Sequence, residues 1–419
     1  MPADVLAWIE AAAPGHVTGA GFRGLGAWRV TGPLDVSVLR RALAELVRRH
    51  EILRTALVPG PGGFRHLPGP GAGMPLTVLD APAPPGRELG PEVAAAVPSD
   101  GPCAVLGRHG PRDATLVLAA SHTRADHWSM EVLARDLVTC YDALLHGREP
   151  VLDVRAFAAY AARTNAERTD PRRLGAAVAR WRRLLHDLPP LVPPVADPGE
   201  LTAEERFVLP VGREALSGAA RAARTTPFAC LLAAYALALS RTAGAGEVVV
   251  PLFTSGRERP DWATVGPFMN VAAVRVRPVP DAAELLAQVH RELVTALAHE
   301  QPLALLLPEV PEIGRLFHAG GVPAAGLELV QFPPSAPHPG PLGLDRLPIG
   351  PRHGATVLPP SALLCWLEAD GPGYAATVRY RPGLLDRAWI VRLAEAFAAG
   401  VATVTHERTR HATAARHQP

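Results

Sequence analysis

One passage constrains the chain more than any other. A near-continuous apolar run, ATLVLAA (114–120), leads into a polar, titratable stretch, SHTRADHWS (121–129), and then into a helix pattern. A strand-length run without polar alternation must be covered on both faces, so other elements have to lie above and below it. Met130, Leu133, Leu137, Tyr141 and Leu144 then share one face of the following helix. Strand and helix patterns keep alternating along the chain. Asp35 caps a helix carrying Val36, Leu39, Leu43 and Leu46, strand-like segments follow at Ile52–Val58 and Leu76–Leu79, and helix covers about 153–187. Further on come strands at 204–209, 247–253, 271–277, 325–332, 361–368 and 374–381, with helices at 212–222, 226–242, 281–300 and 386–404. The fold class is α/β.

A proline-rich segment, LPPLVPPVADPGE (188–200), interrupts this order. Proline fixes φ and removes amide donors, so the segment reads as a semi-rigid linker. The expected organisation is an N-terminal unit over 1–187, this linker, a C-terminal unit over 201–405 and a frayed polar tail over 406–419.

Composition excludes several functions. With 42 basic and 40 acidic residues the net charge is +2, too small to argue for a nucleic-acid partner. The basic residues are all arginine. Chemistry that needs a lysine of its own chain, such as a pyridoxal Schiff base or a Walker-A phosphate contact, is therefore ruled out. The four cysteines are widely spaced and read as free thiols of a reducing compartment. No basic-then-apolar leader stands at the N-terminus, and Phe228–Leu239 is far short of a bilayer span. The reading is a cytoplasmic protein without a membrane partner. Trp181, Arg182 and Arg183 read as the outer surface of a helix.

The chemistry sits in SHTRADHWS, where a buried strand gives way to a helix start. Polar groups at such a strand end are expected to face a cleft. His122 can act as a base near neutral pH, and Asp126 can fold back onto the loop or pair with a distant arginine. Taken alone the spacing is a weak signal and favours a turn-capping histidine and a helix-capping aspartate. No further ligand cluster completes a metal site around His122, Asp126 and His127, so no metal is expected.

Four segments in this order narrow the reading: PLDVSVLRRALAELVRRHEILRT (33–55), SHTRADHWS (121–129), VGPFMNVAAVRV (265–276) and ATVRYRPGLLDRAWIVRLAEAF (376–397). Together, over roughly 20–405, they resemble the condensation domains of nonribosomal peptide synthetases and their free-standing acyltransferase relatives, within the chloramphenicol-acetyltransferase-like superfamily. The resemblance implies two similar α/β subdomains in a V with a central tunnel. It implies transfer of an acyl or aminoacyl group from the phosphopantetheine of an acyl or peptidyl carrier protein acting in trans, or from coenzyme A, to an amine or alcohol acceptor. No cofactor is bound covalently, and a monomer is expected. The runner-up reading is a non-catalytic module that recruits a carrier or a partner enzyme.

By motif, His122 takes the position of the second, catalytic histidine of HHxxxDG, and Asp126 that of its mainly structural aspartate. Ser121 stands where the first histidine is usual and His127 where the glycine is usual. With Trp128 and Ser129 they are expected along the substrate channel. Arg49 and Arg54 match the arginines of RHExLR, and Asn270 and Arg275 match the FVNTxxxR segment. Arg275 is the first choice as ion-pair partner of Asp126 and Arg257 the second, since a buried aspartate without a cation would be costly. The family's N-terminal motif, around SxAQxRLW, is not recognisable in residues 1–20.

Overall fold

The run at 114–120 is the middle of a sheet. In the computed structural model, which describes residue 10 and residues 22–60, 63–69, 73–84, 89–98, 101–168, 170–188, 190–317, 320–330, 342–347 and 361–415, it lies in a strand covered on both sides. The elements in chain order are β1 (Arg23–Thr31), α1 (Val36–Arg49), β2 (Thr55–Gly60), β3 (Gly63–Pro68), β4 (Leu76–Asp80), α2 (Pro91–Ala95), β5 (Cys103–Gly110), β6 (Asp113–Ser121), α3 (His127–Leu145) and α4 (Phe157–Arg168). They continue with α5 (Pro171–Leu185), β7 (Ala203–Leu209), α6 (Arg213–Ala222), α7 (Pro227–Ala243), β8 (Val248–Thr254), β9 (Asn270–Val276), α8 (Ala282–Ala298), α9 (Leu303–Leu306), β10 (Ala325–Leu329), β11 (Gly343–Arg346), β12 (Leu363–Asp370), β13 (Gly373–Tyr380) and α10 (Arg387–Ala415).

The chain divides into two units. Unit 1 holds residues 1–167, 255–269 and 331–357; unit 2 holds 168–254, 270–330 and 358–419. Unit 1 is built on a five-stranded sheet in the order β11-β1-β6-β5-β4, antiparallel except for the β4–β5 pair. Successive side chains of a strand point to opposite faces. In β6, Leu116, Leu118 and Ala120 meet Leu39, Leu43, Leu133 and Leu137 of α1 and α3, while Val117 and Ala119 join Leu25, Val93 and Val105 on the other face. Full burial of one such leucine contributes about 1.5–3 kcal/mol, which explains why the strand admits no alternation.

Unit 2 is built on a six-stranded sheet in the order β7-β13-β12-β10-β8-β9. One face is covered by a core in which α7 is nearly wholly buried, Ala229–Leu239 among Leu216, Leu285, Leu363 and Phe397. Thr226 caps α7 by accepting from the Ala229 amide (3.1 Å), Pro227 takes the first turn, and Gly244 ends the helix at φ +67°. The closing helix α10 is long and apolar enough over Arg387–Thr405 to cross a membrane by length and composition. Its Leu393, Phe397 and Val401 are spent on the unit 2 core.

The expected strands and helices appear within a few residues of their positions, with 153–187 broken in two at Pro171. Three expectations are corrected. The boundary between units falls at 167/168, and the proline-rich segment belongs to unit 2 throughout. Leu191 is buried in that unit's core, with its amide donating to Pro323 O (2.8 Å), so 188–200 lies within unit 2 and is not a linker between units. Trp181 is 3% exposed, a core residue of α5 and not a surface one. The helix expected to end near 404 continues through Ala415. The N-terminal leader and motif positions, Glu10 apart, lie outside the described residues.

Candidate active site

β6 and β1 pair in register from Asp113↔Thr31 to Ser121↔Arg23, and the His122 amide adds one more rung by donating to Phe22 O (2.9 Å). The chain then turns sharply. Ser121 O accepts from the Arg124 and Ala125 amides (2.8 and 3.1 Å), and the Ser121 and Thr123 hydroxyls pair at 2.9 Å. The turn lies against β1 at Gly24, where a Cβ would sit 3.0 Å from Ala125 O and 3.3 Å from Met130 Cε. A glycine lets the two backbones approach.

Asp126 starts the helix. It is the N-cap of α3, accepting from the Ser129 amide at 2.9 Å. Its carboxylate is engaged by three further groups as well. It accepts a two-pronged contact from Arg257, Nη1 to Oδ2 at 2.5 Å and Nη2 to Oδ1 at 2.8 Å. The Ser129 hydroxyl (2.8 Å) and the Phe268 amide (3.2 Å) donate to it as well. Burial acts to raise its pKa, but the Arg257 charge and these hydrogen bonds outweigh burial and hold the carboxyl below its ordinary value. The Arg257 side chain is fully buried, with its guanidinium 4.0 Å from the Phe268 ring centroid.

Arg257 is thus the partner of Asp126, and the first choice, Arg275, is corrected. Arg275 lies in unit 2, ion-pairs with Glu247 and donates to Leu184 O (3.1 Å) and His186 O (2.6 Å). The segment 255–269 delivers Arg257. Gly256 makes this possible: its φ is +59°, and a Cβ there would lie 2.1 Å from Phe268 O. Trp128 and Ser129 fasten the same segment. Trp128 Nε1 donates to Trp262 O (2.9 Å), and the Ser129 hydroxyl accepts from the Gly266 amide (3.0 Å) and from Arg257 Nη2 (2.9 Å). Ser129 is completely buried in these contacts, which replaces its expected channel position with a fastening one.

His122 lies at the end of β6 and is 1% exposed, so the ring does not stand in open solvent as its strand-end position suggested. Its surroundings are nonetheless not plain hydrocarbon. Phe22 lies 5.7 Å away ring to ring and His127 6.0 Å away, edge-on. Nδ1 is buried without a hydrogen-bond partner. Burial lowers the pKa of His122 against the opposing charge of Asp126, so the ring is the neutral imidazole at pH 7. His127 is pushed down to about 3, by burial first, then by the repulsion that a protonated His122 would add and by the charge of Arg346. Arg346, on β11, ion-pairs with Glu131 one helical turn beyond His127 (2.6 Å). Neither Glu131 nor Arg346 carries a motif that singles it out.

The remaining motif residues serve the scaffold. Arg49 donates to Glu45 (2.6 Å) and to Pro150 O (2.9 Å), and Arg54 is exposed. Between them His50, 1% exposed, pairs with Asp136 of α3 (3.0 Å) and ties α1 to α3, a link that the motif does not announce. Asn270 donates to Glu300 Oε1 and Gln301 O, both at 3.0 Å, joining the start of β9 to the end of α8. Among the described residues no group of three His, Cys, Asp or Glu side chains is placed to hold a metal ion.

The chain has known relatives in sequence and in fold. The family model "Condensation domain" matches residues 102–311, half of the chain. Phosphinothricin tripeptide synthetase PhsC of Streptomyces viridochromogenes is 33% identical over 325 residues, 69% of this chain. A linear gramicidin synthase of Brevibacillus parabrevis is 27% identical over 410 residues, 90% of this chain. The chain spans 29% of the first of these proteins and 5% of the second. Among solved structures, SgcC5 of Streptomyces globisporus, crystallised with (R)-(-)-1-(2-naphthyl)-1,2-ethanediol and sucrose, superposes with a TM-score of 0.77 at 26% identity, covering 97% of this chain and 98% of that one. The X-domain from teicoplanin biosynthesis shares the fold, with a TM-score of 0.74 at 21% identity over 97% of this chain and 95% of that one.

Proposed function

Because the chain belongs to the condensation-domain family of nonribosomal peptide synthetases, whose members transfer acyl or peptidyl groups, we propose that His122 is the general base of such a transfer. The donor is an acyl or aminoacyl thioester on the phosphopantetheine arm of a carrier protein, or on coenzyme A. The acceptor is an amine or an alcohol. Its nitrogen or oxygen attacks the thioester carbonyl and loses a proton to His122 as the new amide or ester bond forms. The carbon–sulfur bond then breaks, and the protonated ring returns its proton to the departing thiolate. Base catalysis of this kind is worth ~10²–10⁴-fold.

The observation that supports this reading is the neutral, buried imidazole of His122, its Nδ1 uncommitted, on a loop held by the Asp126–Arg257 pair. A neutral ring is the form that accepts a proton. Asp126 is a positioning residue: its oxygens are engaged by Arg257, Ser129 and Phe268, so it fixes the turn that carries His122. At 1% exposure the ring meets reactants only when the side chains around it part.

A second reading, a recruitment module that binds a carrier without condensing, is favoured by His127 in the place of the motif's glycine, edge-on to His122. One experiment separates the two. Donor-loaded carrier protein is incubated with a panel of amine and alcohol acceptors, and products are read by mass spectrometry for the native chain and for His122→Ala. Product from the native chain that falls at least ~100-fold in the variant supports the base. No product from either, with carrier binding retained by both, leaves the recruitment module.

A further inference from the structure

Unit 2 contains a cavity of about 350 Å³ formed by α5, the residue before β8, the edge strand β9 and α8. Four arginines line it, Arg180, Arg183, Arg275 and Arg277, against two carboxylates, Glu247 and Glu292. We propose that this cavity binds a phosphomonoester carried on a small organic molecule.

Glu247 accepts from both Arg275 and Arg277, so two guanidiniums share one carboxylate and one positive charge is left over. The carboxyl of Glu247 is held down at about 2 by those same contacts, which keeps it ionised. Arg180 is 6% exposed and, among the described residues, makes a single hydrogen bond, from Nη2 to Ala273 O at 2.6 Å. No carboxylate among the described residues lies within ion-pair distance of it. Glu292 acts on it only at longer range, and Arg183 adds positive charge beside it. A guanidinium has five N–H donors and stays charged in proteins. Arg180 therefore brings a desolvated charge and unused donors to the cavity wall.

The six ionised groups leave two positive charges uncompensated. A phosphomonoester carries −1.5 to −2 charges near pH 7 and three acceptor oxygens, which matches that excess in number and in hydrogen-bonding type. A single carboxylate would neutralise half of it. Guanidinium forks pair with phosphate in two-pronged fashion. The volume falls in the range of small-molecule sites, well beyond a lone anion, and Leu184 supplies an apolar wall for the organic part. The cavity uses only unit 2 residues and does not depend on the role given to His122.

The test is isothermal titration of the full chain with inorganic phosphate, adenosine 5′-monophosphate and adenosine, at ionic strength held constant with sodium chloride. Saturable binding of the monophosphate, tighter than that of phosphate, is expected, with none for adenosine. Arg180→Gln and Arg183→Gln should each weaken it by about 10-fold, the loss of one charge-assisted hydrogen bond. Arg183 is exposed, so its variant keeps the test valid if Arg180→Gln melts early. Unchanged affinity in the Arg183 variant, binding of adenosine alone, or a response that never saturates overturns the proposal. Tighter binding of an acidic hexapeptide than of the monophosphate also overturns it and assigns the cavity to a protein partner.

Discussion

Two arginine-bearing regions treat charge in opposite ways. In unit 1, Arg257 and Asp126 are both buried and close on each other, every strong contact reciprocated. In unit 2, Arg180 is also buried but has no carboxylate within ion-pair distance among the described residues, and Arg275 and Arg277 divide one between them. A buried ion pair contributes little net stability, because desolvation cancels most of the attraction, yet its geometry is rigid. The closed pair is therefore a fastening. It locks the 255–269 segment under the turn that carries His122. The open set is only partly neutralised from within, Arg275 and Arg277 sharing Glu247, and keeps its capacity for an outside anion.

The comparison can be broken at its most sensitive point first. His122→Ala should reduce turnover ~10²–10⁴-fold and lower the melting temperature modestly, because the ring is 1% exposed and its removal leaves a cavity. Parallel calorimetry and product assays check this. Next, Arg257→Leu strands a buried carboxylate and should cost about 3–5 kcal/mol in urea unfolding. Arg257→Lys should recover only part of that loss, because an ammonium cannot span both oxygens.

A pH series sharpens the same contrast. The folded pKa of His127, about 3, lies below its unfolded value near 6.5, so the folded state resists protonation. Its share of stability is complete above about pH 6.5 and is lost as pH falls toward 3. Asp126 also has a folded pKa below its unfolded value, and its share is lost only below about pH 4. His127→Gly should reduce the slope of the stability curve between pH 6.5 and 4, to which buried His122 and half-buried His66 also contribute, and keep the decline below pH 4. A slope unchanged by the substitution would contradict this assignment. The smallest effect is expected at the open set. Glu247→Gln removes a pair whose side chains are about one-fifth exposed and should cost about 1 kcal/mol or less, while tightening phosphate binding by raising the cavity charge.

The lesson for reading such chains comes from particular residues. The order strand–SHTRADHWS–helix was plain from local pattern, because burial of β6 and capping by Asp126 act within a few residues. The choice between Arg257 and Arg275 was not. Both lie more than 130 positions from Asp126. Arg275 is opposite Val249 in the β8–β9 ladder and meets Glu247, whereas Gly256 turns Arg257 back into unit 1. Motif matching favoured the arginine in the recognised segment, and sheet register decided otherwise. The proline-rich segment misled for a related reason. Proline fixes the local backbone but does not specify what Leu191 packs against.

By itself, then, the amino-acid order determined the α/β alternation, the helix caps and the residues able to carry proton chemistry, since these follow from forces acting over one or two turns of chain. Tertiary structure decided which arginine neutralises Asp126, that 255–269 and β11 are returned to unit 1, and that four arginines of unit 2 meet at one cavity. Those outcomes depend on strand register and on burial against distant segments, where a single-residue shift would exchange one partner for another.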